Sequence, residues 1–341
     1  MKTLVLGGAG YIGSVVTRLL LQEGHQVVVL DDCSTGHEDA VADGAELVRE
    51  DIGRTGDVLA RGGFDAVLHF AAKSLVGESV QQPALYWHTN VMGTRAVLDA
   101  VTEHRIPRLV FSSTAAVYGD PDEVPIPETA PTRPTNTYGA TKLAVDMMIG
   151  NECTATGLAA VSLRYFNVAG AAWGAGERHS TESHLIPIAL DAAAGRRERL
   201  SIFGDDWPTP DGTPIRDYVH VADLARAHVL ALTAAAPGEH LICNLGNGSG
   251  YSVRQVIACI EQVTGRTVPV EVARRRSGDP ARLVASGDRA RERLGWTPER
   301  DLRGMVADAW AFAQDRAASA PATAPATAPA TAPATAPTTA R

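Results

Sequence analysis

Short apolar runs alternate with longer amphipathic segments through the first half of this 341-residue chain. The runs are rich in Val, Leu and Phe and predict strands, and the segments between them predict helices. Strands that alternate with helices in this way form a parallel sheet with helices on both faces. The predicted strands span residues 3–6, 26–30, 46–49, 66–70, 108–112 and 159–165, and the helices between them include 11–23, 85–104 and 138–154.

The pattern changes near residue 169, where loops rich in Gly, Pro and charge separate predicted helices at 221–235, 252–264 and 302–314. We therefore predict an α/β fold with two regions. A doubly wound, Rossmann-like domain covers residues 1–168, and a smaller C-terminal α/β lobe covers 169–314, with a segment at roughly 204–250 returning to the first domain. Residues 315–341 repeat Ala, Pro and Thr without large apolar side chains and are predicted to form a disordered tail.

Three glycines follow the first predicted strand and lead into the first predicted helix. The spacing of Gly7, Gly10 and Gly13 lets the backbone turn tightly and approach a pyrophosphate at the helix N-terminus. The second strand ends at Asp31, near the ~20-residue offset at which a carboxylate accepts hydrogen bonds from the adenosine ribose. Since no Lys or Arg follows Asp31 before Arg49, a 2′-phosphate would have no local partner. The pattern therefore predicts NAD rather than NADP as the cofactor.

Composition narrows the classes of partner. The net charge of −8 and the pI of about 5.7 argue against nucleic acid or an anionic membrane as the main partner. The chain has no run of roughly 18 or more apolar residues, so no transmembrane helix is expected. The cysteines are far apart, and the histidines lack a recognised metal spacing, so we expect reduced thiols, a cytoplasmic location and no metal site.

A second cluster of chemistry lies further along the chain. Tyr138 and Lys142 are four positions apart on a predicted helix and hence share one face. An ammonium near a phenol favours the phenolate and lowers its pKa toward the range of a general base. The strand at 108–112 leads into Thr114, whose hydroxyl can hydrogen-bond a substrate oxygen at the same centre. Downstream of a dinucleotide loop, these three side chains are the predicted catalytic residues.

Long stretches of residues 1 to about 314 resemble the UDP-glucose 4-epimerase family of the extended short-chain dehydrogenases/reductases. The matching stretches include GGAGYIGS, EDI, HFAAKSLVGESV, NVMGT, FSSTAAVYGD, YGATK, LRYFNVAGA, SHLIP, IFGDDWPTPDGTPIRDYVHVADLARAH and RRRSGDPA. The resemblance implies the extended fold and the same catalytic trio. It implies NAD contacts from Gly7, Gly10, Tyr11, Ile12, Gly13, Asp31, Asp32, Ser34, Asp51, Ile52, Phe70, Ala71, Ala72, Lys73, Asn90, Ser112, Tyr138, Lys142 and Tyr165.

The resemblance also implies a UDP-hexose substrate and a homodimer that forms through helices 85–104 and 138–154. Guanidinium groups suit a diphosphate, and a carboxylate can accept from ribose hydroxyls. Leu283, of intermediate size, favours UDP-glucose and UDP-galactose over N-acetylated sugars, and His184 stands where many relatives have Asn. The implied substrate contacts are Lys73, Thr114, Tyr138, Asn167, His184, Leu185, Phe203, Arg216, Tyr218, Arg276, Asp279 and Leu283.

The implied reaction oxidises the sugar at C4, turns the 4-keto intermediate about its diphosphate and returns the hydride to the other face. A 4,6-dehydratase is disfavoured, since Ala115 and Ala116 stand where related dehydratases place an acidic pair. A UDP-glucuronate or UDP-GlcNAc 4-epimerase and a uronate decarboxylase remain alternatives. A non-catalytic NAD-binding sensor, the alternative from another class, is disfavoured because such proteins lack the Tyr or Lys that this chain retains.

Overall fold

Strands and helices alternate through the computed structural model, which describes residues 1–276 and 279–319. The strands are β1 (Lys2–Leu6), β2 (Gln26–Leu30), β3 (Glu46–Val48), β4 (Ala66–His69), β5 (Arg108–Thr114), β6 (Ala159–Tyr165), β7 (Asn167–Ala169), β8 (Ala171–Ala172), β9 (Ala175–Gly176), β10 (Leu200–Phe203), β11 (Ile215–Arg216), β12 (Tyr218–His220), β13 (His240–Leu245), β14 (Tyr251–Ser252), β15 (Val270–Ala273) and β16 (Arg282–Leu283). The α-helices are α1 (Tyr11–Gln22), α2 (Thr55–Leu59), α3 (Val76–Gln81), α4 (Pro83–Tyr86), α5 (Gly93–Glu103), α6 (Thr137–Thr156), α7 (Leu185–Ala193), α8 (Val221–Ala231), α9 (Val253–Thr264), α10 (Asp288–Leu294) and α11 (Leu302–Ser319).

Seven parallel strands form the central sheet in the order β3-β2-β1-β4-β5-β6-β13. This is the order of a doubly wound, Rossmann-like sheet, which confirms the predicted fold class. Ligands bind such sheets at the carboxyl ends of the strands, next to the point where the order reverses between β1 and β4. All six strands predicted from the apolar runs are present, and their ends differ by at most two residues.

The seventh strand, β13, was not predicted as a strand. It pairs in parallel with β6 at the edge of the sheet. Its sequence carries His240 and Asn244 among the apolar residues, and Asn244 is fully buried. The Asn244 side chain accepts a hydrogen bond from the Tyr118 hydroxyl at 2.7 Å, and the His240 ring contacts the Ser162 hydroxyl at 2.8 Å. His240 and Asn244 interrupt the apolar run in the sequence, so the run does not read as a strand. In the folded protein these hydrogen-bond partners satisfy the two polar side chains.

Apolar residues cover both faces of the sheet. In β1, Val5 faces the core shared with α1 and α8, whereas Leu4 and Leu6 face the core shared with α2, α5 and α6, and all three are fully buried. Successive side chains of a strand point to opposite faces, so a strand covered on both sides reads as a continuous apolar run.

Three helices differ from their predictions. Helix α8 ends at Ala231 rather than at 235. The helix predicted over 85–104 is divided into α4, a π-helical segment over Trp87–Met92, and α5. The last helix, α11, runs past residue 314 to Ser319, so the predicted disordered tail begins too early, and its remainder, 320–341, lies outside the described residues. Helix α6 begins where Asn136 accepts a hydrogen bond from the N–H of Gly139 at 2.9 Å, which places Tyr138 in its first turn.

A smaller region lies beside the carboxyl ends of the sheet. It contains the pairs β10-β15 and β7-β12 and the three-stranded sheet β14-β11-β16, which pack with α7, α9 and α11 around a third core that includes Ile202 and Met305. The return of β13 to the central sheet fits the predicted return of part of 204–250, whereas the boundary at residue 168 stays a prediction. Among the helices described, none is long and apolar enough to cross a bilayer.

Candidate functional site

The predicted phosphate loop lies between β1 and α1 and is tightly packed. Gly7 has a φ of +81°, and a Cβ there would lie 2.6 Å from the backbone nitrogen of Ala71. A Cβ on Gly13 would lie 2.2 Å from the carbonyl oxygen of Gly7. Gly10 precedes α1 without a side-chain cap, so N–H groups of the first turn are available to an anion. These features fit a pyrophosphate at this helix terminus.

Asp31 joins this loop to the end of β2. Its Oδ2 accepts a hydrogen bond from the N–H of Ala9 at 2.9 Å, and its Oδ1 accepts one from the N–H of Cys33 at 2.8 Å. Burial raises the pKa of Asp31, and the two N–H donors partly offset that rise. A carboxylate oxygen accepts more than one hydrogen bond, so both remain able to accept from a ribose. Ser34 follows in the same turn, where its N–H donates to Asp32 at 2.8 Å.

The loop after β4 is held by a buried amide. Asn90 accepts a hydrogen bond from the N–H of Lys73 at 2.8 Å and donates to the Lys73 carbonyl at 3.0 Å. It also donates to the hydroxyl of Thr141 at 3.1 Å. The N–H groups of Phe70 and Ala71 donate to the last carbonyl of β1 at 2.8 and 3.1 Å. Thr141 was missed by sequence reasoning, although its position between Tyr138 and Lys142 in the YGATK stretch was a usable signal.

The remaining residues predicted for the cofactor lie around the same end of the sheet. Asp51 caps the short turn after β3, where it accepts from the N–H of Gly53 at 2.8 Å. Ile52 follows it and is buried. Ala72 lies in the loop that Asn90 holds. The Tyr11 hydroxyl donates to the carbonyl of Gly170 at 2.6 Å, which ties α1 to the chain that follows β6.

The three predicted catalytic side chains meet at the end of β5. The hydroxyl of Thr114 lies near that of Tyr138 and acts to lower its pKa. Lys142 donates to the carbonyl oxygen of Ser112 at 2.7 Å and lies 4.7 Å from the centre of the Phe111 ring. The Ser112 hydroxyl contacts the Tyr165 hydroxyl. Hydroxyl groups from two strands and one helix therefore converge beside the predicted cofactor loops.

The expected effect of Lys142 on Tyr138 is wrong for this arrangement. Burial raises the pKa of Tyr138, and the Thr114 hydroxyl offsets only part of the rise. The Lys142 ammonium is directed at a strand carbonyl rather than at the phenol. Burial also lowers the pKa of Lys142 to about 8, against the opposing effect of Asp146. Tyr138 is therefore a neutral phenol in this arrangement and lies within reach of Thr114.

A cleft lined mainly by residues of the smaller region opens near this centre. Thr114 pairs in register with Tyr165, two residues before Asn167, which lines the cleft. The Arg276 guanidinium lies 3.7 Å from the centre of the Phe203 ring. Burial lowers the pKa of Arg216, and Asp279 acts in the opposite direction. Eight residues predicted to contact substrate line this cleft: Asn167, His184, Leu185, Phe203, Arg216, Tyr218, Arg276 and Asp279.

Pairing of β7 with β12 brings two of these residues together, because Asn167 is in register with Tyr218. Burial raises the pKa of Tyr218 to about 12, and the neighbouring Asn167 side chain acts in the opposite direction. Leu283 is not among the lining residues. It pairs in register with Arg216, and its side chain packs against the cluster that contains Ala115 and Val117, just after Thr114. Its predicted influence on sugar size stays a prediction.

A segment between β9 and α7 connects the phosphate loop to this cleft. Arg178 forms two hydrogen bonds with Asp39, at 2.9 and 3.0 Å, and its carbonyl contacts the His37 ring at 2.9 Å. His184, predicted as a substrate contact, lines the cleft and also pairs with acidic groups of its own segment, at 2.5 Å from Glu177 and 3.1 Å from Glu182.

The acidic partners of His184 also contact a second histidine. The nearby carboxylates of Glu177 and Glu182 raise the pKa of His179 to about 9. The pKa of His184 is raised to about 10, because the same two carboxylates outweigh the lowering by burial. The irregular spacing of the four residues gave no signal in the sequence.

Three comparisons place the chain among known proteins. Residues 3–246 match the family described as the NAD dependent epimerase/dehydratase family. UDP-glucose 4-epimerase of Corynebacterium glutamicum is 56% identical over 94% of this chain and 99% of that protein. UDP-glucose 4-epimerase of Streptomyces lividans is 57% identical over 91% of this chain and 95% of that protein.

Solved structures resemble the whole fold. UDP-glucose 4-epimerase from Brucella ovis in complex with NAD is 45% identical, with a TM-score of 0.88, and the match covers 91% of this chain and 97% of that one. The enzyme from Bifidobacterium longum in complex with NAD⁺ and UDP is 33% identical, with a TM-score of 0.88, and covers 93% of this chain and 99% of that one.

Proposed function

The chain belongs to the NAD dependent epimerase/dehydratase family, and we propose that it interconverts UDP-glucose and UDP-galactose with NAD as a retained cofactor. One observation carries the proposal. Thr114 and Tyr138 lie at the end of β5, in the same sheet as the strand that precedes the phosphate loop, and Thr114 pairs with Tyr165 two residues before Asn167 of the cleft that presents Arg216 and Arg276. A dinucleotide and a diphosphate-linked sugar can therefore approach the same hydroxyl pair.

The dinucleotide loops fit NAD by their own packing. The close approach of Gly7 and Gly13 to neighbouring backbone leaves no room for a side chain in the turn before α1. Asp31 is positioned to accept ribose hydroxyls, and Asn90 holds the backbone of Lys73 beside it. When bound, NAD supplies the acceptor for a hydride from C4 of the sugar.

The residues of the chain do the rest of the chemistry. Tyr138 first releases its own phenol proton to solvent and, as the phenolate, takes the proton from the sugar's 4-hydroxyl. Thr114 holds that oxygen by a hydrogen bond. Arg216 and Arg276 hold the diphosphate as a fixed anchor. The oxidised hexose can then turn about its diphosphate link and present its other face, after which Tyr138 returns the proton. The configuration at C4 is inverted.

The structure gives no support to an elimination. Ala115 and Ala116 form the turn that follows Thr114, so this turn offers neither an acid nor a base for the removal of water.

The range of sugars accepted is proposed from Leu283, which packs behind the active-site turn. We expect UDP-glucose and UDP-galactose to be the main pair, and comparable turnover of UDP-GlcNAc would contradict this.

A homodimer is proposed from exposed apolar side chains on the helices named for it. Met92 and Met147 are 61% and 64% exposed, and Trp87, in the same predicted helix as Met92, is 43% exposed. Val80, 63% exposed, lies outside these helices, on α3. An apolar face of this kind suits a second copy of the chain. Sedimentation as a monomer at micromolar concentration would contradict the dimer.

A cytoplasmic location is proposed because the four cysteines, all among the described residues, are free thiols.

An isotope experiment tests the mechanism. UDP-galactose labelled with deuterium at C4 is incubated with the enzyme in ordinary water. If the hydride leaves and returns within one site, UDP-glucose keeps the deuterium at C4. Loss of the label to solvent, or its transfer to added NAD, would contradict the proposal.

A further inference from the structure

We propose that Glu177, His179, Glu182 and His184 form a binding site for one zinc ion. The four residues lie in the loop between β9 and α7, and His184 immediately precedes α7. Each offers one ligand atom, and these four atoms all lie within 4.8 Å of one another. The proposal is independent of the proposed enzymatic function.

The spacing of the ligand atoms suits a tetrahedral ion. His184 Nδ1 lies 2.5 Å from Glu177 and 3.1 Å from Glu182, and His179 Nδ1 lies 3.0 and 3.6 Å from the same two carboxylates. Ligands about 2.0–2.2 Å from a tetrahedral zinc stand roughly 3.3–3.6 Å apart. Small side-chain adjustments therefore place all four atoms on one ion.

A second observation distinguishes the cluster from an ordinary set of ion pairs. His179 Nδ1 is shielded from solvent and lacks a hydrogen bond of good geometry to any described residue, although it lies 3.0 Å from Glu177. The nitrogen is therefore buried and unsatisfied beside two carboxylates, 3.0 Å from Glu177 and 3.6 Å from Glu182. A shared cation at that point would satisfy it.

The supporting bonds hold the ligands in place. Glu182 accepts from the N–H groups of Ser183 and His184, both at 2.7 Å, which orients its carboxylate. Arg178, between two of the ligands, is fixed by its pair of hydrogen bonds with Asp39. The loop therefore has both an oriented carboxylate and an anchored backbone.

The donor set selects the class of ion. Two imidazoles and two carboxylates suit Zn²⁺ and its tetrahedral substitute Co²⁺, whereas Ca²⁺ takes six to eight oxygen ligands. Four protein ligands close the coordination sphere, so the ion would be structural. Because His184 also lines the substrate cleft and His179 lies beside the phosphate loop, the ion would fix the segment that joins the two.

Metal loading of the untagged full-length protein tests the proposal. After dialysis against chelator, we expect added Zn²⁺ to bind at one ion per chain and to raise the thermal midpoint. Co²⁺ in its place should give the intense visible absorption of a tetrahedral site. The absence of stoichiometric binding, or a weak octahedral cobalt spectrum, would overturn the proposal and leave the cluster as paired ions.

Single substitutions test whether the residues of this cluster are the ones that bind the zinc ion. His179→Gln and Glu182→Gln should each lower the affinity for Zn²⁺ at least about tenfold, and circular dichroism checks their folding. His88→Gln alters an exposed histidine outside the cluster and should bind Zn²⁺ like the original chain. Unchanged affinity in both cluster variants would overturn the assignment even if the protein binds zinc.

Discussion

The two sides of the crevice are built in different ways. The dinucleotide side consists largely of backbone and short side chains, such as Gly13 and Asp31, which are packed against or bonded to neighbouring backbone. The substrate side consists of long side chains, such as Phe203, Arg216 and Arg276, contributed by separate strands and loops. A site made of backbone has little freedom to change, whereas a site made of side chains can be adjusted one contact at a time.

The largest effect is expected where the two sides meet. Tyr138→Phe removes the hydroxyl that exchanges the proton, so kcat should fall by about 10²–10⁴. Bound NAD, measured after denaturation of the purified protein, should stay near the level of the unaltered chain. A variant that keeps most of its turnover would show that another group is the base.

A matched pair of glycine substitutions tests the rigidity of the dinucleotide side. Gly13→Ala puts a methyl group 2.2 Å from a carbonyl oxygen, whereas Gly10→Ala puts one 3.3 Å from the same oxygen. We expect Gly13→Ala to lose about 1–3 kcal/mol of unfolding free energy and most of its NAD. The free energy comes from urea unfolding, and Gly10→Ala should lose clearly less. Equal losses in both variants would contradict the packing described for this turn.

A conservative change tests the adjustability of the substrate side. Arg276→Lys keeps the charge but removes the planar donor pair, so KM for UDP-galactose should rise about tenfold, equivalent to about 1.4 kcal/mol. Steady-state kinetics should show kcat within a factor of about three, with NAD content unchanged. Arg266, which lies over the ring of Trp310 away from the cleft, gives a control: Arg266→Lys should leave KM unchanged. A fall in kcat with constant KM would instead place Arg276 in the chemical step.

Lowering the pH should reduce the free energy of unfolding, because two histidines, His69 and His228, are buried on the dinucleotide side. Burial lowers the pKa of His69 to about 3 and of His228 to about 4, and His228 packs 4.8 Å from the Phe70 ring. In the unfolded chain these histidines take up protons near pH 6.5. Above that pH neither state is protonated, so the two histidines do not lower the free energy of unfolding. It falls as the pH drops toward 4, by up to about 1.4 kcal/mol per pH unit for each histidine.

Urea unfolding between pH 7 and 5 measures this slope. His228→Asn should reduce the slope by about one histidine's contribution, and His88→Asn, at an exposed position, should leave it unchanged. An unaltered slope in His228→Asn would show that other groups dominate the acid response.

The same contrast explains what the sequence could predict. The phosphate loop, Asp31 and the spacing of Tyr138 and Lys142 are local, so apolar periodicity and short motifs were enough to find them. The direction of the Lys142 ammonium was not predictable, because it depends on a carbonyl of a different element, β5. Strand β13 was missed because buried polar residues interrupt its apolar pattern.

The residues of the substrate cleft could be predicted only from the resemblance to a known family, because no periodic pattern in the sequence marks them. Arg216 reaches it through the pairing of β11 with β16, and Asn167 through the pairing of β7 with β12. Such pairings between short strands leave no periodic signal in the sequence. The cluster around His184 was missed for the same reason, because its members alternate with other residues along a loop.

The most direct test is to incubate the purified protein with UDP-galactose and no added NAD, and to follow the products by anion-exchange chromatography. Formation of UDP-glucose is the predicted result, since it requires both inversion at C4 and a cofactor retained in the dinucleotide side. No conversion even after NAD is supplied would contradict the proposed function.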